Sequence, residues 1–137
     1  MTKRTEELRA LLETLDPILH EGVYVFCVAD SGLDLSVLKP IAVVNESEGT
    51  TVIVDEATAA LHGLAPLFRS AWITLTVHSD LQAVGLTAAV AAALTNAGIS
   101  CNVVAAVRHD HVFVPIERAA EALQVLKDLQ RNVAKPF

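Results

Sequence analysis

The chain has 137 residues and a formal net charge of −6, and 53% of its residues are hydrophobic while 19% are charged. This length suits one compact fold or two small halves that share a core, and the composition excludes a disordered chain. Nonspecific binding to nucleic acid draws on clustered Lys and Arg side chains. The basic residues here form no such stripe, so we expect no nucleic-acid partner.

The N-terminal segment predicts an amphipathic helix. Leucines recur at helical spacing between Leu8 and Leu15, and Pro17 ends the pattern. Charges are spread through residues 1–19, where a signal peptide would need an apolar core. No later run is long and apolar enough to span a bilayer. We therefore expect a cytoplasmic protein with no membrane partner.

The rest of the first half predicts three strands and two short helical pieces. Apolar runs bounded by turn residues predict the strands Val23–Ala29, Ile41–Asn45 and Thr50–Val54. The last two flank the turn-rich Glu46–Gly49 and predict a hairpin. Residues 33–38 leave room for one helical turn, and Asp55 can cap a helix that Gly63 ends.

Residues 72–104 predict a strand, a polar loop, a helix and a second strand. Trp72–Val77 alternates in the manner of a strand, and Gly98 ends an Ala-rich helix of about residues 83–97. We expect Ser79 or Asp80 to cap this helix, and the second strand to run over residues 99–104. The helix has no broad polar face, so we expect a sheet on one side of it and a symmetry-related helix on the other.

The second half of the chain repeats the first. Three pairs of residues stand 60 positions apart: Val43 with Val103, Val52 with Val112, and Ala59 with Ala119. The preceding strand keeps an offset of 48, as between Tyr24 and Trp72, because the first half lacks most of the Ala-rich helix. We predict two βαββα-like units, residues 1–67 and 68–137. Chance is the alternative, since the matched residues are mostly Val and Ala.

Residues 71–126 resemble the ACT-domain family. The resemblance rests on a strand, a polar loop that enters a helix at Gly85-Leu86, and the step Ala-Gly-Ile-Ser-Cys-Asn at residues 97–102. It extends to small free-standing ACT proteins and, more distantly, to CASTOR-type amino-acid sensors and aspartate kinase regulatory domains. It implies an α+β, ferredoxin-like fold with an antiparallel sheet and helices on one face. It also implies a regulatory module that binds an amino acid or similar small ligand and has no catalytic activity.

The polar loop before the Ala-rich helix is the candidate ligand site. Free N–H groups at a helix N-terminus suit a carboxylate, and Gly85 leaves room for a ligand or, equally, for close packing of the helix. We expect Asn102 to lie near this loop, where its amide could both donate and accept. The residues expected to bind a ligand are Val77, His78, Ser79, Val84, Gly85, Leu86, Cys101 and Asn102.

Two other clusters carry weaker alternatives. His109 and His111 share one face of a strand and, with His78, could supply three metal ligands, although such a pair is more often solvated or structural. Ser79 adjoins His78, but neighbours on a strand point to opposite faces, so no catalytic nucleophile is indicated. We expect no enzyme activity, no metal and no cofactor. The expected partners are a homo-oligomeric copy and an unidentified regulated enzyme; a purely structural association module is the alternative.

Overall fold

A computed structural model describes residues 2–134, which form two compact units. The central unit comprises residues 21–71, and the terminal unit comprises residues 2–20 together with 72–134. The predicted boundary at residues 67 and 68 divides the sequence, whereas these units group the N-terminal segment with the second half of the chain.

The central unit contains three strands, one helix and the beginning of a fourth strand. In chain order its elements are β2 (Tyr24–Ala29), a 3-10 turn (Leu35–Leu38), β3 (Ala42–Glu46), β4 (Gly49–Asp55), α2 (Glu56–Leu61) and the first residues of β5 (Phe68–Leu75). The strand order is β3-β4-β2-β5, with antiparallel pairing throughout. The core is built from apolar side chains of β2, β4 and α2: Val25, Cys27, Val52, Val54 and Ala59.

The terminal unit begins with α1 (Lys3–Glu13) and β1 (Pro17–Leu19), which precede the central unit in the chain. After the last residues of β5 follow α3 (Leu86–Asn96), β6 (Asn102–Ala105), β7 (Asp110–Pro115), a 3-10 turn (Ile116–Arg118) and α4 (Ala119–Ala134). β1 and β7 pair with β5, and β6 pairs with β7. α4 packs against α1 and α3. Buried apolar side chains of strands and helices form the core: Ile73, Leu75, Val90, Leu94, Val112 and Leu126.

The predicted duplication is confirmed by the registers of the two hairpins. β3 and β4 pair Val43 with Val52, and β6 and β7 pair Val103 with Val112, 60 positions further on. The remaining three pairs of the β6–β7 ladder also correspond to β3–β4 pairs 60 positions earlier. The shorter offset of the preceding strand arises because a four-residue 3-10 turn stands where the second repeat has the eleven-residue α3.

The ends of α3 confirm one prediction and correct another. Gly98 ends the helix with φ +72°, and the N–H groups of Gly98 and Ile99 donate to the carbonyls of Thr95 and Leu94, both at 2.9 Å. The helix begins only at Leu86, however, so the prediction that Ser79 or Asp80 caps it was wrong. A capping side chain must stand directly before the first turn, and that position is occupied by Gly85, which has no side chain.

Two strand boundaries also differ from the prediction. β5 begins at Phe68, four residues before the predicted start, and β6 begins at Asn102 because Ile99 completes the helix cap. None of the helices within residues 2–134 is long and apolar enough to cross a membrane.

Candidate functional site

The loop of residues 76–85 joins β5 to α3 and is anchored at its beginning. Val77 is buried, and its N–H donates to the carbonyl of Leu15 at 3.2 Å. Further along, Asp80 forms a turn: its Oδ1 accepts from the N–H of Gln82 and its carbonyl accepts from the N–H of Ala83, both at 2.9 Å. Asp80 therefore stabilises the loop and leaves the N–H groups of α3 uncapped.

Gly85 ends the loop in a backbone conformation that favours glycine. Its φ is +102°, and a Cβ atom there would lie 3.0 Å from Cδ2 of Leu8 on α1. The space beside Gly85 is thus filled by a leucine side chain. The structure accounts for this glycine by its positive φ and by helix packing.

Three cavities border the loop. The inner cavity, of about 50 Å³, is lined by Ser79, Asp80, Leu81, Ala83, Leu86, Thr87, Ala105 and Asp110. The outer pocket, of about 320 Å³, is lined by His78, Ser79, Asp80, Leu81 and Val107. A groove of about 470 Å³ lies between α1 and residues 80–84, with Val84 on its wall. The inner cavity and the outer pocket share three residues and so adjoin one another.

The first turn of α3 faces the inner cavity. Leu86 and Thr87 line this cavity, and no side chain caps the helix. The first N–H groups of any α-helix lack an intrahelical partner and carry partial positive charge. This end of the eleven-residue helix therefore offers uncapped N–H donors to an anion in the cavity.

Asp110 contributes a carboxylate to the same cavity. The residue begins β7 opposite Ala105 of β6, and only 8% of its surface is exposed. Within residues 2–134 its carboxylate makes no hydrogen bond or ion pair, but its oxygens are not sealed from solvent, since the buried side-chain polar atom without a partner in this part of the chain is Nδ1 of His109. Burial raises the pKa of this carboxyl group, while the neighbouring His111 opposes the rise. The cavity thus combines N–H donors with an unpartnered acid.

The structure brings together some of the predicted site residues and separates others. Ser79 and Leu86 line the inner cavity, and His78 lines the outer pocket. Cys101 and Asn102 line none of the three cavities. The pair Asn102–Phe113 stands three residue pairs, roughly 10 Å, along the hairpin from Ala105–Asp110. α3 carries the chain away from the loop, and β6 starts at that far end.

Asp110 was not among the predicted site residues, although the sequence contains a signal for it. Residues alternate between the two faces of a strand, so Asp110 shares a face with Val112 and Val114. Both valines are buried in the core. An acidic residue on a core-facing register is unusual and marks a candidate functional group.

The three histidines considered as metal ligands do not converge on one point. The rings of His78 and His109 lie 5.5 Å apart, but Nδ1 of His111 accepts a hydrogen bond from Trp72 Nε1–H at 3.0 Å. Among the residues that the structure describes, no group of three or more His, Cys, Asp or Glu side chains could hold a metal ion.

The sequence and the structure match those of known proteins. Models of the ACT domain match residues 5–71 and 67–128. A Vibrio cholerae protein of unknown function, described as a possible transport protein, is 43% identical with a TM-score of 0.83, over 93% of this chain and 99% of that one. The chain belongs to the ACT-domain family. It is a tandem ACT protein, as the sequence resemblance predicted, and the predicted ACT fold is confirmed.

More distantly related structures share the fold alone. The ligand-free regulatory subunit of aspartate kinase from Thermus thermophilus is 11% identical with a TM-score of 0.61, over 85% of this chain and 97% of that one. An Agrobacterium tumefaciens protein is 12% identical with a TM-score of 0.60, over 83% and 87% of the two chains. No functionally curated protein matches the chain.

Proposed function

We propose that this tandem ACT protein is a non-catalytic regulatory module that binds an α-amino acid in the inner cavity. The observation that carries the proposal is the carboxylate of Asp110, a residue that is only 8% exposed and that lines the cavity beside the uncapped first turn of α3. An α-amino acid presents a carboxylate and an ammonium group on one carbon. Its carboxylate would accept from the N–H groups of Leu86 and Thr87, and its ammonium group would donate to Asp110.

The energetics favour such a zwitterion over a simple anion or cation. Burial disfavours the ionised form of Asp110 and raises its pKa, and pairing the carboxylate with an ammonium group offsets part of that cost. An anion alone would bring a further negative charge close to the carboxylates of Asp80 and Asp110, which both line the cavity. A cation alone would leave the N–H groups of α3 without an acceptor.

The cavity volumes suit a ligand of this size. The inner cavity of about 50 Å³ has room for the charged groups alone, so the side chain of the amino acid would extend into the outer pocket of about 320 Å³. That pocket has apolar walls at Leu81 and Val107 and one imidazole at His78. Ser79 lies at the junction of the two spaces and can contact either part of the ligand.

The regulatory part of the proposal is supported by the likeness in fold to aspartate kinase regulatory subunits. A binding module of this kind acts through a partner whose activity changes when the ligand binds. The partner implied by the proposal is an enzyme that remains to be identified.

Calorimetric titration with the common L-amino acids tests the proposal. We expect one of them to bind the wild type, and Asp110→Asn to weaken its binding about tenfold or more, because a hydrogen bond to a charged group contributes about 1.5–3 kcal/mol. Asn102→Ala, at the other end of the β6–β7 hairpin, should leave the affinity unchanged. If Asn102→Ala weakened binding and Asp110→Asn did not, the site would lie at the start of β6. If none of the amino acids bound to the wild type, the proposed function would be overturned.

A second proposal concerns association with another copy of the chain. Within the described residues β3 pairs only with β4, and it exposes 40% of Val43 and 53% of Val44. An edge strand, which has unpaired N–H and C=O groups on one side, is a ready template for pairing with another chain when its apolar side chains are exposed. We expect a homo-oligomer in sedimentation velocity that Val44→Lys dissociates. A wild type that is monomeric at micromolar concentration would contradict this.

A further inference from the structure

An aromatic and polar cluster surrounds Trp72, the only tryptophan in the sequence. The indole Nε1–H donates to Nδ1 of His111 at 3.0 Å, and the indole stacks on His20 with ring centroids 3.6 Å apart. Oγ1 of Thr74 lies 2.7 Å from Nε2 of His20 and 3.0 Å from Nδ1 of His111. Thr74 thus bridges the two imidazoles, and we call these four residues the Trp72 cluster.

The indole fixes the protonation state of His111. An indole N–H can only donate, so Nδ1 of His111 must be the acceptor and must carry no proton. His111 is therefore the neutral tautomer with its proton on Nε2. A protonated imidazole has hydrogen on both ring nitrogens, and no rotation of that ring restores an acceptor to Trp72. The hydrogen bond that Trp72 makes here is incompatible with a charged His111.

We propose that the Trp72 cluster is a proton-operated switch in which protonation of His111 breaks its hydrogen bond with Trp72 and re-pairs Thr74. A proton from solvent binds the Nδ1 lone pair of His111. The new Nδ1–H donates to Oγ1 of Thr74, and the Thr74 hydroxyl donates its own hydrogen to Nε2 of His20, which accepts because neutral His20 then carries its one ring proton on Nδ1. The Trp72 indole is left to find another acceptor. This proposal is independent of the proposed amino-acid site.

The charged and titratable groups around His111 set where the switch operates. Burial lowers the pKa of His111, and nearby His109 and His20 lower it further, while Asp110 opposes them. Burial also lowers the pKa of His20. Two protons in this cluster would place like charges on imidazoles that share Thr74, so one proton disfavours the second. The switch therefore operates below the ordinary histidine pKa of about 6.5.

The single tryptophan makes the switch directly observable. In the ¹⁵N-labelled full-length chain the indole N–H gives one NMR signal, which we would follow from about pH 7.5 to about pH 4.5. We expect the signal to move upfield, as it does when a hydrogen bond is lost, with a midpoint below about pH 6.5. Tryptophan fluorescence should change over the same range. An indole signal that does not titrate over this range would overturn the proposal.

Substitutions distinguish His111 from the other histidines. His111→Gln keeps an acceptor for the indole but cannot titrate, so its signal should lose the transition seen in the wild type. His62→Gln, in the central unit and outside the cluster, is the matched control and should retain that transition. A wild-type transition in His111→Gln would overturn the proposal.

Thr74→Val keeps the test decisive if His111→Gln fails to fold by circular dichroism. Valine cannot accept from protonated His111, so the charged state loses its new partner. We expect the midpoint of the indole transition to fall to lower pH in this variant. An unchanged midpoint would remove Thr74 from the switch and overturn the re-pairing step.

Discussion

The two ACT domains differ most at the connection that follows their first strand. In the second repeat this connection contains α3, which has eleven residues and begins at Leu86, directly after Gly85, with no side-chain cap. In the first repeat it contains the four-residue turn Leu35–Leu38, where Oδ1 of Asp34 accepts from the N–H and the hydroxyl of Ser36 at 3.0 and 2.7 Å. The turn of the first repeat is thus capped by its own Asp34 side chain, whereas the first N–H groups of α3 in the second repeat have no side-chain acceptor.

The hairpins that follow differ at the matching position. Asp110 begins β7, whereas the residue 60 positions earlier in β4 is Thr50, whose hydroxyl donates to Oδ1 of Asn45. The first repeat therefore lacks both the uncapped helix and the buried acid. The two repeats thus share their strand registers, while the uncapped helix and the acidic residue that the proposed zwitterion site requires occur in the second repeat.

The largest effect should come from a side chain at Gly85. Gly85→Val forces a branched residue to φ +102° and places its Cβ 3.0 Å from Leu8, so we expect urea denaturation to show a loss of about 2–4 kcal/mol. Gly32→Val is the matched control in the first repeat, because Gly32 has φ +92° and no atom lies within 4 Å of the place that its Cβ would take. It should lose about 1–2 kcal/mol from backbone strain alone. Equal losses would show that Leu8 does not restrict Gly85.

The next effect concerns Asp110 and the pH dependence of stability. Its pKa is raised above the ordinary value of 3.8, so between these two values the folded protein binds more protons than the unfolded chain. The stability contribution is full below about pH 3.8 and is lost as the pH rises through the raised pKa. Asp110→Asn should lack this loss and gain stability relative to the wild type as the pH rises from about 3.8 through the raised pKa. Parallel stability curves for the two proteins would contradict a buried, unpartnered acid.

Ligand affinity should have the opposite pH dependence. The ammonium group of the amino acid pairs with ionised Asp110, so the affinity of the wild type should fall about tenfold per pH unit below the raised pKa. Calorimetric titrations at several pH values would measure this slope. The residual affinity of Asp110→Asn should be flat over the same range, and a slope that persisted in this variant would assign the titration to another group.

The smallest effect is expected at Asp34, the cap of the first repeat. Asp34→Ala removes both hydrogen bonds to Ser36, and we expect a small decrease in the melting temperature. It should not create an amino-acid site, because the turn is too short to carry a helix dipole and Thr50 offers no carboxylate. Amino-acid binding at this turn in Asp34→Ala would show that capping alone separates the two repeats.

Much of the fold could be predicted because its signals are local. Asp55 caps α2 by accepting from the N–H of Ala57, and Gly63 and Gly98 end their helices at positive φ, as the sequence indicates. The start of β5 was missed because residues 68–71 do not alternate between polar and apolar. Ser70 is fully buried there, since its hydroxyl donates to the carbonyl of Tyr24 at 2.7 Å. That contact depends on a strand distant in sequence.

The candidate site was less predictable because it depends on lengths and distant partners. The polar residues Ser79 and Asp80 resemble a helix cap, but the helix begins at Leu86, directly after the glycine that lies against Leu8 of α1. Asn102 was expected near the loop on the condition that the strands before and after α3 are adjacent, whereas β7 lies between β5 and β6 in the sheet. The position of Asp110 beside the helix follows from the β6–β7 register, which no local pattern specifies.

Backbone amide NMR during addition of the amino acid that binds most tightly tests the central claim most directly. We predict shifts of the N–H signals of Leu86, Thr87 and Asp110, and none at residues 36–38 of the first repeat. Asp110→Asn at the same ligand concentration should lose these shifts. Shifts centred on residues 36–38 or on Asn102, with α3 unaffected, would contradict a zwitterion site between Asp110 and the helix.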